Sequence, residues 1–222
     1  MTKFKLLSTL FISSLSSISL TLISEQAIAQ VFSGEQNPFS VKWRQINHSG
    51  FRIIYPIELE QEAQRMASTI AYIYPLEAAS LGRKKTQLPI VLQNRGVVAN
   101  GFVALAPKRS EFNTTPPQYF DSQDWLNNLA IHELRHAVQY DKLTAGAPPL
   151  SQEIYLALMG ASVPLWFFEG DAVSTETSLT DAGRGRQPSW IMSYRTLLLE
   201  GQKLSYSKAN FGSNKTIAPG YY

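Results

Sequence analysis

Two of the three histidines in this chain stand four residues apart, in His132-Glu133-Leu134-Arg135-His136. Residues at that spacing lie on one face of a helix, about 6 Å apart, so both imidazoles can reach one tetrahedral metal ion. Glu133 falls between them in projection and is not itself a ligand. Its carboxylate can reach a water on the metal, which assigns it the role of general base. A catalytic zinc site keeps three protein ligands and leaves its fourth position to water, so one more ligand is needed. The chain has no cysteine, and any metal must be held by His and carboxylate. Downstream, Trp166-Phe167-Phe168-Glu169-Gly170-Asp171-Ala172 places an acid at the start of a helix, behind aromatics that shield it from bulk water. Glu169 is the third ligand expected. His48 lies in a turn without a partner in sequence and is read as structural.

Together the two segments resemble the gluzincin metallopeptidases, which pair HExxH with a later glutamate in an E-G-x-A context, here Glu169-Gly170-Asp171-Ala172. More narrowly they resemble the bacterial peptidase MA-like domains of envelope proteins, some of which are joined to β-propeller repeats. The resemblance covers about residues 51–222. It implies a zincin-like fold, with a small mixed sheet, an HExxH active-site helix and a downstream glutamate helix. It also implies Zn2+ on His132, His136 and Glu169, and hydrolysis of a peptide or protein substrate by metal-activated water with Glu133 as base. Asn100-Gly101-Phe102-Val103-Ala104 would match the edge strand of that fold. The stretch from His136 to Glu169 is longer than in thermolysin-like and aminopeptidase members, which makes residues 144–165 an insertion. The chain ends at Ala218-Pro219-Gly220-Tyr221-Tyr222 without the further helical region such proteins often carry, so a C-terminally truncated domain or a shallow cleft is expected.

Peptide hydrolysis also needs a donor for the developing oxyanion. No histidine follows His136, which leaves Tyr194, Tyr206, Tyr221 and Tyr222 as candidates. Arg184 and Arg186 could clamp an oxyanion or a substrate carboxylate instead, since guanidinium groups pair bidentately with both; a solvated flexible loop explains Gly183-Arg184-Gly185-Arg186 equally well. Asp171 and Glu176 are candidates to accept the imidazole N–H groups. A second functional class is a catalytically silent zincin-fold envelope protein acting as a binding scaffold, with the apolar residues 154–168 as its contact surface. The presence of Glu133 argues against it, because a silent site has no need of that base. A metal-storage role would require more ligands than three histidines supply.

These side chains must be positioned by a small set of elements. Residues 41–46 and 51–55 are β-prone runs separated by the turn-like Asn47-His48-Ser49-Gly50. Leu59, Ala63, Met66, Ile70 and Ile73 recur at helical spacing, predicting a helix over residues 58–74 with one face on a sheet, bent or ended by Pro75. Residues 88–92 and 101–106 read as strands, the second closed by Pro107 and the charged Lys108-Arg109-Ser110-Glu111. An extended peptide could add to that second strand. Residues 113–118 read as a polar loop. The metal-bearing helix is expected to start at a cap on Asp121 or Ser122, with Asp124 in its first turn, and to run to about Asp141. After irregular residues 145–149, helices are expected over residues 166–178 and from a cap at Ser189 to Glu200, with Gly201 just beyond. Strands precede helices, so the class is α+β.

The composition agrees with one globular domain. Apolar residues make up 44% of the 222 and charged residues 17%, which excludes disordered, collagenous and coiled-coil chains. Lys3 and Lys5, a serine-loosened apolar run over residues 6–23 and Ala27-Ile28-Ala29 form the pattern of a secretory leader cleaved after Ala29. That places the remaining residues 30–222 in the periplasm or outside the cell as one metallopeptidase domain. Lys and Arg total 20 against 17 Asp and Glu, too small a surplus to imply nucleic acid. The apolar residues 154–168 are interrupted by Gly160, Ser162 and Pro164 and fall short of a span, so no stable membrane crossing is expected after leader removal, and that stretch is expected to be buried or to form a hydrophobic rim. From Thr177 onward six basic residues face only Asp181 and Glu200, a modestly basic end.

Overall fold

A computed structural model describes residues 37–84, 87–105, 107–117, 124–148, 151–181 and 183–211. The leader, the caps expected at Asp121 and Ser122, and Tyr221 and Tyr222 lie outside the described residues. The chain divides into a unit ending at Phe39 and a unit beginning at Ser40; every element below belongs to the second.

The sheet begins with a hairpin of β1 (Trp43–His48) and β2 (Phe51–Pro56), whose antiparallel register runs from Trp43 opposite Pro56 to His48 opposite Phe51. Its two-residue turn is possible because Gly50 takes a φ of 99°, a region closed to most side chains. Phe51, Ile53 and Tyr55 alternate onto the buried face of β2, as do Leu88, Ile90 and Leu92 of β3 (Leu88–Gln93). β2 and β3 are parallel, β3 and β5 (Lys108–Asn113) are parallel, and β4 (Gly101–Leu105) runs antiparallel to β5. The resulting order β1-β2-β3-β5-β4 puts β4 at an edge.

The charged run after Pro107 is therefore not the close of a strand but a strand in its own right, second from the edge. Its pattern is disguised because only Ser110 and Phe112 face the core, while Arg109 and Glu111 share the opposite face and pair at 2.6 Å. Helix α1 (Glu60–Ser80) does not end at Pro75 but continues for its last turn and more. The proline faces solvent, and Tyr74, Glu77 and Ala78 on the opposite side remain buried, so packing outweighs the missing N–H. The helix ends two residues later than Ala78 by a Schellman arrangement: Gly82, at φ 65°, donates to the Ala79 carbonyl and Arg83 to that of Ala78.

Helix α2 (Trp125–Leu143) is the centre of the molecule. Asp124 is its N-cap position, but that side chain pairs with Arg65 of α1 at 2.5 Å instead of capping. Every residue from Ala130 to Gln139 is buried, so the helix is enclosed on all sides. Ala130, Ile131, Leu134, Ala137 and Val138 join the core beneath the sheet and α1. The opposite stripe carries His132, Glu133, Arg135, His136 and Gln139, and α4 (Leu165–Leu179) covers it. Between them lies α3 (Gln152–Gly160), a helix not expected from sequence, with Leu156 its one buried residue. Pro188 occupies the first turn of α5 (Pro188–Leu199) and Gln187 is its cap, so Ser189 lies inside the helix and not before it. α6 (Tyr206–Phe211) follows. A mixed five-stranded sheet with helices makes the fold α+β, although α1 falls between β2 and β3 so that the strands do not all come first.

Glu77 is 1% exposed, and neither of its carboxylate oxygens has a hydrogen-bond partner. Burial pushes its pKa from 4.5 up to about 9; the Arg135 guanidinium opposes the rise and Asp171 adds to it. The folded protein then holds a proton that the unfolded chain releases, so stability falls as pH rises from about 4.5 towards about 9. Glu77→Gln removes that dependence. It is expected to raise the thermal midpoint near pH ~8 and to change it little near pH ~4; equal midpoints for variant and wild type at both pH values would contradict it.

Candidate metal centre

His132 and His136 stand on the buried stripe of α2, and Glu169 reaches them from the second turn of α4. The Nε2 atoms of the two histidines are 3.2 Å apart. Glu169 Oε2 lies 3.2 Å from His132 Nε2 and 3.6 Å from His136 Nε2. Ligand atoms around a tetrahedral zinc, with bonds of about 2.0–2.1 Å, stand roughly 3.3 Å apart. Among the described residues this trio is a group able to hold a metal ion, all three ligand atoms falling within 4.8 Å of one another. The sequence-derived ligand set is brought together as expected.

The outer nitrogens decide what the inner ones can do. His136 Nδ1 lies 2.8 Å from Gln139 Oε1, and His132 Nδ1 lies 3.1 Å from Glu176 Oε2. Arg184 Nη2 lies closer still to His132 Nδ1, at 2.6 Å, so the neighbours assign a proton to Nδ1 of His136 alone; with a proton on His132 Nδ1 as well, both Nε2 lone pairs would converge with a carboxylate oxygen. A cation suits that arrangement, and the donor set of two imidazoles and one carboxylate is the kind zinc accepts. In its absence a proton can take the same place on His132. Burial lowers the proton affinity of His132, but the Glu169 and Glu176 carboxylates overcome this and leave its pKa raised. Burial likewise works against ionisation of Glu169, yet the two imidazoles hold it well below the usual carboxylate range.

Of the two acids expected to orient the imidazoles, Glu176 does so directly and Asp171 does not. Asp171 sits one step back: it takes a two-pronged pair from Arg135, Nε to Oδ2 at 2.6 Å and Nη2 to Oδ1 at 2.9 Å, and accepts from Gln139 Nε2 at 2.7 Å. Gln139 also donates to the Phe168 carbonyl at 3.0 Å. With both donors committed, its Oε1 is left facing His136. Gln139 was not singled out from sequence, although its position three residues after His136 on the same stripe was the available signal.

Glu176 is held in turn by Arg184, whose Nε and Nη2 reach Oε1 and Oε2 at 2.8 and 2.9 Å, and whose backbone N–H reaches Oε1 at 3.0 Å. Burial raises the Glu176 pKa, but His132 and Arg184 bring it down to about 2. The Gly183-Arg184-Gly185-Arg186 segment is accordingly no solvated loop. It is a 3-10 turn pressed onto α4, so close that a Cβ on Gly183 would lie 2.4 Å from Thr177 Cα. Arg186 donates to the Thr177 carbonyl at 3.0 Å. Arg184, committed to Glu176 and stacked 5.3 Å from the Trp190 ring centre, is a positioning residue rather than an oxyanion clamp. Tyr206 accepts from Trp166 Nε1 at 2.8 Å. A tyrosine passed over in the sequence, Tyr140, stacks 6.3 Å from the His136 ring; burial pushes its pKa to about 12, with Glu133 and Glu169 adding to the rise.

Glu133 is buried. Burial raises its pKa, against the pull of His136 and His132. Its stem rests on the first residue of the edge strand: a Cβ on Gly101 would lie 3.1 Å from Glu133 Cγ and 3.0 Å from Phe112 Cδ1. A side chain at this position would require Phe112, Glu133 or Leu129 to give way by a few tenths of an ångström.

No family model, no curated protein and no solved structure matches this chain. Gln139→Leu leaves the His136 Nδ1 proton without an acceptor and is expected to weaken zinc binding by about 10–100-fold, with Gln139→Glu restoring most of it. Competition against a chromophoric chelator measures both, and an unchanged affinity in Gln139→Leu would show that His136 needs no such support.

Proposed function

We propose that this protein is a zinc-dependent peptidase of zincin-like fold, of the gluzincin and peptidase MA-like type, acting on peptides or proteins in the periplasm or outside the cell. The observation that carries the reading is the convergence of His132 Nε2, His136 Nε2 and Glu169 Oε2 at 3.2–3.6 Å, beside a buried glutamate that is not one of the three. When bound, the metal supplies Lewis acidity, polarising a carbonyl and acidifying water.

The chain's own residues do the rest. Glu133 takes a proton from the attacking water on its carboxylate and returns it to the leaving nitrogen. Gln139 accepts from His136 Nδ1, and Glu176 with Arg184 fixes the His132 ring at its Nδ1, which keeps both Nε2 atoms turned inward. Among the described residues β4 pairs only with β5, so an extended peptide can add to its free edge. Because Gly101 touches the Glu133 stem, such a peptide would run past the base. The exposed Ile154, Leu158, Leu165 and Phe167 lend some support to a second reading, a binding scaffold without turnover. A buried base beside the ligand trio favours the hydrolase.

Protein purified without chelators is expected to hold about one zinc per chain, the number one three-ligand site accepts. Glu133→Gln should keep the metal and lower peptide-library cleavage by at least about 100-fold, while Glu169→Ala should lose both. No bound metal, even after zinc reconstitution, would reject the proposal; zinc without cleavage would move it to the scaffold.

A further inference from the structure

The buried core ends early. Its fully buried members run from Phe51 to Val138, and the helices after residue 151 add little to it. Their apolar side chains point outward: Ile154 and Leu158 of α3 are each 66% exposed, Leu198 and Leu199 of α5 are 71% and 79% exposed, and Leu165, Phe167, Ile191 and Met192 are about as open. α5 is the extreme case. Its sequence, Pro-Ser-Trp-Ile-Met-Ser-Tyr-Arg-Thr-Leu-Leu-Leu, carries one charge, and it has no buried residue. Ser189, Ser193 and Thr196 form one polar stripe, and an otherwise apolar helix exposed to this extent marks a contact surface.

Charge narrows the partner. Residues 183–211 hold five cations, Arg184, Arg186, Arg195, Lys203 and Lys208, against the single acid Glu200. Arg195, Lys203 and Lys208 are exposed and interleave with the apolar positions. Lys203 lines the same cavity of about 390 Å³ as Tyr194, Leu197 and Leu198. Apolar side chains with cations among them, and tyrosine and tryptophan rings at the margin, match the boundary between anionic headgroups and acyl chains. Spanning does not fit. No single described helix is long and apolar enough to cross, and the one bent pair, Gln152–Gly160 with Leu165–Leu179, includes the segment that carries Glu169 and the buried Glu176.

We infer that α5 and the residues just after it rest on an anionic membrane surface, with Leu198 and Leu199 entering the acyl boundary and Arg195, Lys203 and Lys208 meeting lipid phosphates. This is independent of whether the metal site turns over a peptide.

The absence of cysteine allows a local test. Leu199→Cys in the full chain, labelled with an environment-sensitive fluorophore, reports on α5 alone; Gln61→Cys on the exposed side of α1 is the control. Phosphatidylcholine vesicles containing about 30% phosphatidylglycerol should shift the Leu199→Cys label to the blue, make it accessible to a chain-attached quencher, and leave the Gln61→Cys label unchanged. Pure phosphatidylcholine should act weakly. Adding R195E and K203E should reduce partitioning by at least about thirtyfold. A label at residue 199 that stays in water overturns the inference, even if a retained leader tethers the chain to the vesicle. So does an equal response from both labels, which is indiscriminate adsorption, or a shift that appears without vesicles as protein concentration rises, which assigns the face to a second copy of the chain.

Discussion

Two imidazole lone pairs and a carboxylate oxygen brought within 3.2–3.6 Å of one another repel unless positive charge lies among them. That constraint organises everything around α2. An imidazole presents a lone pair inward only if its other nitrogen keeps the proton, so each Nδ1 needs an acceptor in a region that excludes water. Gln139 meets that need for His136, and Glu176 is placed to meet it for His132, sharing that nitrogen with Arg184. Each would be unfavourable to bury alone, and each is therefore tied to a cation: Glu176 to Arg184 directly, Gln139 to Arg135 through Asp171.

Burying this much polarity inside a helix stripe is costly unless every group is paired. Arg135 shows how it is managed. Its three nitrogens reach both oxygens of Asp171 and the Ser80 hydroxyl, which ties the end of α1 to α4 across α2. Removing one partner from such a network leaves a charge without compensation, so the support behind the ligands is as much a stability element as a chemical one. The two glycines that flank Arg184 belong to the same logic: only without side chains can the turn press close enough for its backbone N–H to reach Glu176.

The molecule is uneven as a result. From β1 to α2 the alternation of the strands and the face of α1 enclose a continuous core. Beyond residue 151 the helices have a different task. α4 is drawn in by its polar contacts, with Ala172, Val173 and Glu176 as its buried residues, while α3 and α5 surround it with apolar side chains turned outward. Polar groups thus sit inside and apolar ones outside, in the part of the chain nearest the ligands.

The linear order of residues was sufficient to single out the candidate ligand trio. A four-residue spacing dictates a shared helical face, the lack of cysteine restricts the donors, and Glu169 was the acid placed behind aromatics, so His132, His136 and Glu169 could be named before any folding. The α+β class, a strand over residues 101–105 and the rough extent of α4 were also readable, because hydrophobic period is a local property. What tertiary structure alone decided was which neighbours complete the site. Asp171 and Glu176 looked alike as acids on one helix, and only packing against α2 gave one to His132 and the other to Arg135. Pro75 remained helical and Lys108–Asn113 became a strand for the same reason: local preferences amount to a kilocalorie or a few, and burial against a distant segment, which no local pattern records, is large enough to override them.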